Sequence, residues 1–392
     1  MPNSTPKDGL DLEDLGLSEG APVLLRRALS SLSSGDWLEV HGDSPNLAED
    51  LATWCRTQGC SCERRAGSPV LHRIQKGGAS AVILNPSEVS DSADPAWGLA
   101  PRGANVEAGG PRFAFTLRRK REVWATNLES IYKQAVAHQW SAARDIPWSE
   151  LPRLPIDLEH AVRQIMTFLT ENEFAALYVP ARFIPRIHPH YREVVEVMAM
   201  QVVDEARHAE AFTRRAQASG DELGTTAMTG QLSLQTLLEE PDFTTAVFLL
   251  CVMGEGTFLS LLKFLQEHAP DPVTATLARL AHRDETRHVA FGTEHLRYVL
   301  QTQPEKRQSL AAAVEHRSQI LASVSGLSPY VSDALIVLAG GGISIGQIRQ
   351  GSRRLLDLHH EMHASRQERL RSLGFSSEEA SQLSAYHTKN FM

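Results

Sequence analysis

The 392-residue chain has few cysteines, no excess of positive charge and no apolar run long enough for a bilayer, and each shortage excludes a class of protein. Four cysteines, Cys55, Cys60, Cys62 and Cys251, are too few and too irregularly spaced for a disulfide framework or a zinc ribbon. The 39 Lys and Arg against 47 Asp and Glu give a net charge of −8, which argues against nucleic acid or a membrane surface as a partner. The one basic cluster, Arg118-Arg119-Lys120-Arg121, runs straight into Glu122 and reads as a solvated helix start. The most apolar stretch, Ala246 to Met253, is too short to span a bilayer, and Met1 to Asp8 lack a basic-then-apolar secretion signal. A cytoplasmic protein in a reducing compartment is expected. Flavin, nicotinamide and four-cysteine iron–sulfur motifs are also missing. Gly340-Gly341-Gly342 and Gly346 follow no strand of an α/β unit, and His359-His360-Glu361-Met362-His363 is one residue short of His-Glu-x-x-His.

What is present divides into two parts. Over the first eighty residues short strand and helix patterns alternate. Leu10-Asp11-Leu12 and Trp37–Val40 read as strands, Pro22–Leu32 and Leu47–Arg56 as helices, and two further strands end near Lys76-Gly77-Gly78. Residues 81–112 are rich in Ala, Gly, Pro and Ser without a sustained period and read as a linker. Residues 113–392 read as an all-α domain, with helices over Leu117–Trp140, Leu158–Pro180, Tyr191–Ser219, Phe243–Glu267, Pro272–Thr302, Glu305–Val324 and Gly351–Leu373. The fold class is mainly α, preceded by a small α/β domain over 1–80.

The segment 8–78 resembles the TusA-like (SirA-like) sulfur-carrier family. The likeness lies in Leu10-Asp11-Leu12, the helix start Pro22-Val23-Leu24-Leu25, Gly42-Asp43-Ser44-Pro45 and Ile74-Gln75-Lys76-Gly77-Gly78. The family's Cys-Pro-x-Pro becomes Glu19-Gly20-Ala21-Pro22. A glutamate carries no persulfide, so the resemblance implies a binding, docking or dimerisation module, with sulfur transfer from that position excluded.

The chemistry is carried by two segments eighty residues apart, Asp204-Glu205-Ala206-Arg207-His208 and Asp284-Glu285-Thr286-Arg287-His288. In each, Glu and His are three apart and share one helix face. A dinuclear site in a helical bundle needs one further Glu from each of two other helices. Glu255, the only charge between Asp242 and Lys263, is one; an ionised carboxylate in so apolar a helix is costly unless paired or metal-bound. Gly254 and Gly256 flank it mid-helix, which suggests close helix approach, a bulge or room for a small molecule. The other is Glu173, which shares a face with Val162, Met166, Leu169, Ala176 and Leu177. Glu171, on the more polar face with Gln164 and Arg182, is the alternative.

Six such ligands with open positions suit two Fe ions, with Mn or mixed Fe/Mn as alternatives, rather than structural zinc. Asp204 and Asp284 are placed to serve the His of the opposite segment, with Arg207 and Arg287 anchoring those aspartates.

The region from Leu117 to Leu300 resembles the ferritin-like di-iron carboxylate superfamily on its oxidase/oxygenase side. The resemblance implies a four-helix bundle with O2 as co-substrate, a small-molecule substrate, a separate electron donor or reductase, and a homodimer. Ribonucleotide reductase small subunits place a radical Tyr where this chain has Phe212, which argues against a tyrosyl-radical role. Phe258 and Leu259 stand where multicomponent hydroxylases and acyl desaturases carry a Thr, while Thr257 falls only two residues after Glu255. His282, three residues before Glu285, stands one residue out of register with an extra ligand His of arylamine N-oxygenases and is a further candidate.

Overall fold

The computed structural model of the chain describes residues 9–65, 71–77, 82–220, 222–322 and 328–387. Two compact units result, one of residues 1–88 with 96–113, the other of residues 89–95 with 114–392.

The first unit runs β1 (Leu10–Asp11), α1 (Ala21–Ser30), β2 (Trp37–His41), α2 (Leu47–Thr57), β3 (Ser61–Arg65) and β4 (Leu71–Gln75). Its sheet has the order β1-β2-β4-β3, with β1 parallel to β2 and the other pairs antiparallel. The parallel pair is possible because α1 supplies the crossover between its strands. Leu25 and Leu29 of α1 and Leu47, Leu51 and Cys55 of α2 close over Val40 and Ile74 of the sheet in one buried core with Leu12. Gly78 lies outside the described residues, and the likeness of this unit to sulfur carriers rests on its sequence motifs alone. Residues 82–107, within the expected linker, include a small antiparallel ribbon of β5 (Val82–Ile83) and β6 (Val106–Glu107).

The second unit is helical. After α3 (Lys120–Val123) and α4 (Leu128–Ala137) come the long helices α5 (Ile156–Phe183) and α6 (Arg192–Ala216), then α7 (Met228–Leu238). A third long helix is composite: α8 (Phe243–Val247), a π-helical segment (Phe248–Glu255) and α9 (Gly256–Glu267). It is followed by α10 (Pro272–Thr302), α11 (Lys306–Ile320), α12 (Pro329–Gly340), α13 (Ile345–Ser372) and α14 (Ser377–Tyr386). Helices α5, α6, the composite helix and α10 form the four-helix bundle; α12 packs on α5, and α13 on α9. The apolar stretch is longer than the expected Ala246–Met253: the helix Phe243–Glu267 is long and apolar enough to cross a membrane, yet 94% of its most apolar window is buried inside the protein, as in a core helix.

The single helix expected over Leu117–Trp140 is in fact two, α3 and α4. Trp124 is extended between them, and its carbonyl accepts from His295 Nδ1 at 3.0 Å instead of continuing a helix. Val123 and Ala125 are both buried, an alternation that suits extended chain. The helix expected over Glu305–Val324 is described through Ile320; Val324 and the loop residue Gly326 lie outside the described residues. The Gly340-Gly341-Gly342 run ends α12 and turns into α13. Gly341 has φ +76° and Gly342 φ +149°, and a Cβ on Gly340 would lie 2.3 Å from the Gln347 carbonyl oxygen.

One end of the bundle is tied by Arg215, fully buried near the end of α6. Its guanidinium donates to Glu159 Oε1 of α5 (2.7 Å), to Asp271 Oδ2 at the N-cap of α10 (2.9 Å) and to Thr274 Oγ1 (3.0 Å). Removing the cation leaves two buried carboxylates facing each other. Arg215→Met is expected to cost about 3–5 kcal/mol of stability, read as a lowered midpoint in chemical denaturation; an unchanged midpoint would show the triad to be dispensable.

His295 offers a second check. Its Nδ1–H donates to the Trp124 carbonyl and its Nε2 accepts from the Thr244 hydroxyl at 3.2 Å, so the ring is satisfied while neutral. Burial pulls it down to about 4. The unfolded chain therefore takes up this proton first, and stability falls as pH drops from about 6.5 towards 4. In His295→Gln the dependence of unfolding free energy on pH over that window should be shallower by up to about 1.4 kcal/mol per pH unit.

Candidate metal centre

Both Glu-x-x-His segments lie mid-helix, Glu205 and His208 on α6 and Glu285 and His288 on α10, with all four side chains buried. The three-residue spacing turns each pair inward. Glu173 arrives from α5 and Glu255 from the last turn of the π-helical segment, both 1–2% exposed. The donor atoms fall into two groups, each within 4.8 Å: Glu173, Glu205, His208 and Glu285 in one, Glu205, Glu255, Glu285 and His288 in the other. Glu205 and Glu285 belong to both. The arrangement can therefore hold two metal ions side by side, each with one His and one carboxylate of its own and two shared carboxylates between them.

The histidines show which nitrogen faces the metals. His208 Nδ1 lies 3.1 Å from Glu205 Oε2, 3.5 Å from Glu173 Oε2 and 3.4 Å from Glu285 Oε1. His288 Nδ1 lies 3.0 Å from Glu205 Oε1 and 3.3 Å from Glu285 Oε2. Each Nε2 points the other way, His208 to Asp284 Oδ2 and His288 to Asp204 Oδ2, both at 3.3 Å. The aspartates thus serve the histidine of the opposite segment. Arg287 donates to Asp204 (2.9 Å) and Asp284 (2.8 Å); Arg207 pairs with Asp204 and reaches Asp284 at 2.9 Å. The outer ring of two Asp and two Arg is electrically balanced, and the inner four carboxylates are left for cations.

The donor set fits metal ions on two further grounds. Glu173 Oε1 and Glu255 Oε2 are buried without a hydrogen-bond partner among the described residues, although their other oxygens are engaged or close to a ring nitrogen. Burial and the neighbouring Glu205 push the Glu173 carboxyl well up, and burial and Glu285 do the same to Glu255. Burial opposes charge on His208 and His288, but the surrounding carboxylates outweigh it and raise both rings well above their ordinary value. Burial likewise opposes ionising Asp284, and the His208 hydrogen bond outweighs it, holding that carboxyl far below its usual range.

Of the alternatives, Glu173 enters the cluster and Glu171 does not: Glu171 turns to Gln231 of α7. His282 is half-buried and outside both groups. His363 is occupied elsewhere, its Nδ1 against Ser384 Oγ (2.8 Å) and its Nε2 against Gln367 (3.0 Å), with His359 and His360 exposed. Phe212 packs its ring 6.2 Å from that of His208, and Thr257 donates to the Met253 carbonyl.

Three contributors are not among the sequence candidates. The Trp140 indole N–H donates to Asp284 Oδ2 at 2.6 Å while its ring lies under Arg207. Gln139 accepts from Arg207 at 2.6 Å. Gln201, one turn before Glu205, donates to Glu255 Oε1 at 2.8 Å and so fixes that carboxylate with Oε2 free. The spacing of Gln201 from Glu205 carries a signal; Trp140 and Gln139 come from beyond the end of α4 and carry none.

No family model and no curated protein matches the chain. Among solved structures it is similar to an R2-like ligand-binding oxidase from Sulfolobus acidocaldarius, at 17% identity over 66% of this chain and 94% of that one, with a TM-score of 0.43. A protein with aldehyde deformylating oxidase activity from Synechococcus matches at 16% identity over 58% and 96%, TM-score 0.43. A variant R2-like ligand-binding oxidase reconstituted with an Fe/Fe cofactor matches at 16% identity over 65% and 94%, TM-score 0.46.

Substitutions separate the roles. Glu173→Ala and Glu255→Ala should each lower metal content below two per chain, while Glu171→Ala leaves it unchanged, by elemental analysis. Asp204→Ala should weaken metal affinity about 10–100-fold in competition with a chelator, because His288 loses its acceptor.

Proposed function

We propose that the protein is an O2-activating non-haem oxidase or oxygenase with a dinuclear Fe or Mn/Fe centre, acting on a small organic molecule by hydroxylation, N-oxygenation or desaturation. The observation that carries this reading is the sharing of Glu205 and Glu285 between two four-donor groups. Four protein donors per ion leave positions open on metals that accept up to about six ligands. A closed structural site would fill them. The bound pair of ions supplies redox chemistry towards O2 that no side chain of this protein can provide.

The protein's own part is to hold that centre dry and at fixed charge. Asp204 and Asp284 keep the proton on each Nε2, so that each Nδ1 presents a lone pair inward. Gln201 sets the rotamer of Glu255, and Phe212 and Trp140 flank His208 and exclude water. Support for an organic substrate comes from the helices beyond the minimal bundle. Electrons come from a separate donor in this reading, the first unit serves docking or dimerisation, and the setting is cytoplasmic.

The reading is tested by loading the full-length protein anaerobically with Fe(II) and mixing it rapidly with O2. Two irons per chain, O2 uptake and a transient visible absorption are expected. Fewer than two metals per chain in well-loaded protein, or no O2 uptake, would overturn the proposal. Turnover of many Fe(II) equivalents with mineral formation would replace it with a ferroxidase. Metal binding without O2 uptake, together with loss of stability in Glu255→Ala, would make the centre a structural staple.

A further inference from the structure

Three of the four cysteines, Cys55, Cys60 and Cys62, converge in the first unit. Strand β3 is antiparallel to β4 with Cys62 directly opposite Ile74. Opposed residues of a ladder share a face, and Ile74 is fully buried in the core that α2 covers. Cys62 therefore points at α2, as does Cys60 two residues earlier. On α2 the residue turned towards that face is Cys55, 1% exposed and part of the same core. The helix end and the strand start are clamped by the Cys60 N–H donating to the Cys55 carbonyl at 2.8 Å. Cys62 packs against the core that contains Cys55, whereas the Cys60 thiol donates to the Gln58 carbonyl at 3.8 Å.

We propose that Cys62 and Cys55 form a thiol–disulfide exchange site, with Cys62 as the attacking thiol, Cys55 as the resolving thiol and a small-molecule or protein disulfide as the substrate. The neighbouring Cys55 thiol lowers Cys62 to about 7, while the neighbouring Cys62 and burial push Cys55 up. Cys62 is half-buried and so reachable; Cys55 is not. Nucleophile and resolver are thus distinguished by access, with the lowered Cys62 thiol in keeping with that order.

The exchange balances without another reagent. The Cys62 thiolate attacks one sulfur of R–S–S–R, forming the Cys62–S–S–R bond as the S–S bond of the substrate breaks and RS⁻ leaves. Cys55 then gives up its proton to the released thiolate and attacks Cys62 Sγ, expelling the second RS⁻, which takes a proton from solvent. Two thiols of the protein are oxidised by two electrons, and one disulfide is reduced to two thiols. The pair is distinct from Glu19, the position at which the sulfur-carrier resemblance would call for a cysteine. It is also independent of the metal reading.

The test equilibrates the full-length protein with oxidised glutathione, quenches with acid, alkylates, and maps the digest by mass spectrometry. The expected result is loss of two free thiols and a linked peptide joining Cys55 to Cys62, with dithiothreitol restoring four thiols. Cys60→Ser should retain the link and Cys62→Ser should abolish it, leaving Cys55 reduced. Metal-free and metal-loaded protein should give the same map. Four free thiols after equilibration, glutathione attached without an internal link, or a Cys60–Cys62 link would each overturn the assignment.

Discussion

Six charged or ionisable side chains in a dry helical interior must be electrically balanced, and the second unit is organised around that requirement. Burying an unpaired carboxylate is among the most expensive arrangements a protein can adopt. The inner four glutamates carry four potential negative charges, which two divalent cations would offset. The outer pair of aspartates is already matched by Arg207 and Arg287. Without cations, the protein approaches neutrality by holding protons: two glutamate carboxyls are pushed up and both histidines are held in the charged form. The same residues therefore have two ways to settle their charge, and metal binding exchanges one for the other.

The cross-linking of the two halves follows from this balance. Asp204 on α6 serves His288 on α10, and Asp284 on α10 serves His208 on α6. Each arginine bridges both aspartates. Neither helix can shift along its axis without breaking the other's contacts, which fixes the register of the two Glu-x-x-His segments. A pair of independent salt bridges on the surface would impose no such constraint.

The long helices and the two repeated segments were legible in the sequence because both depend on local spacing. Glu255 was legible from cost alone, as a lone charge in an apolar helix. Glu173 over Glu171 could be argued from the face each shares, and the structure separates them by where they point, Glu173 into the cluster and Glu171 to Gln231. What the sequence hid depends on contacts between distant residues. The break at Trp124 is made by His295, 171 residues away, and Trp140 reaches Asp284 across 144 residues. The α7, α12 and α14 helices lack strong amphipathic periodicity or are short, so no spacing announces them.

The two glycines flanking Glu255 hinted at a distortion, and its form explains what the C-terminal helices do. In the π-helical segment the Gly256 N–H reaches back five residues to the Cys251 carbonyl. The Val252 carbonyl is thereby deprived of its usual helical partner, and Arg369 of α13 donates to it at 3.0 Å. That approach requires Gly256, because a Cβ there would lie 2.4 Å from Arg369 Nε. One residue on, Thr257 donates to the Met253 carbonyl and accepts from Arg366 of the same helix α13 at 3.3 Å. One arginine from outside the bundle, Arg369, thus satisfies the backbone of the turn that presents Glu255, and a second, Arg366, holds the Thr257 hydroxyl beside it. On the opposite side Gly292 of α10 lets Cys251 approach, where a Cβ would sit 2.3 Å from the cysteine's own. A widened turn inside a close-packed bundle costs backbone hydrogen bonds and space, and here each is offset by a named residue. The helices beyond the four-helix bundle are therefore part of how the third helix delivers its carboxylate.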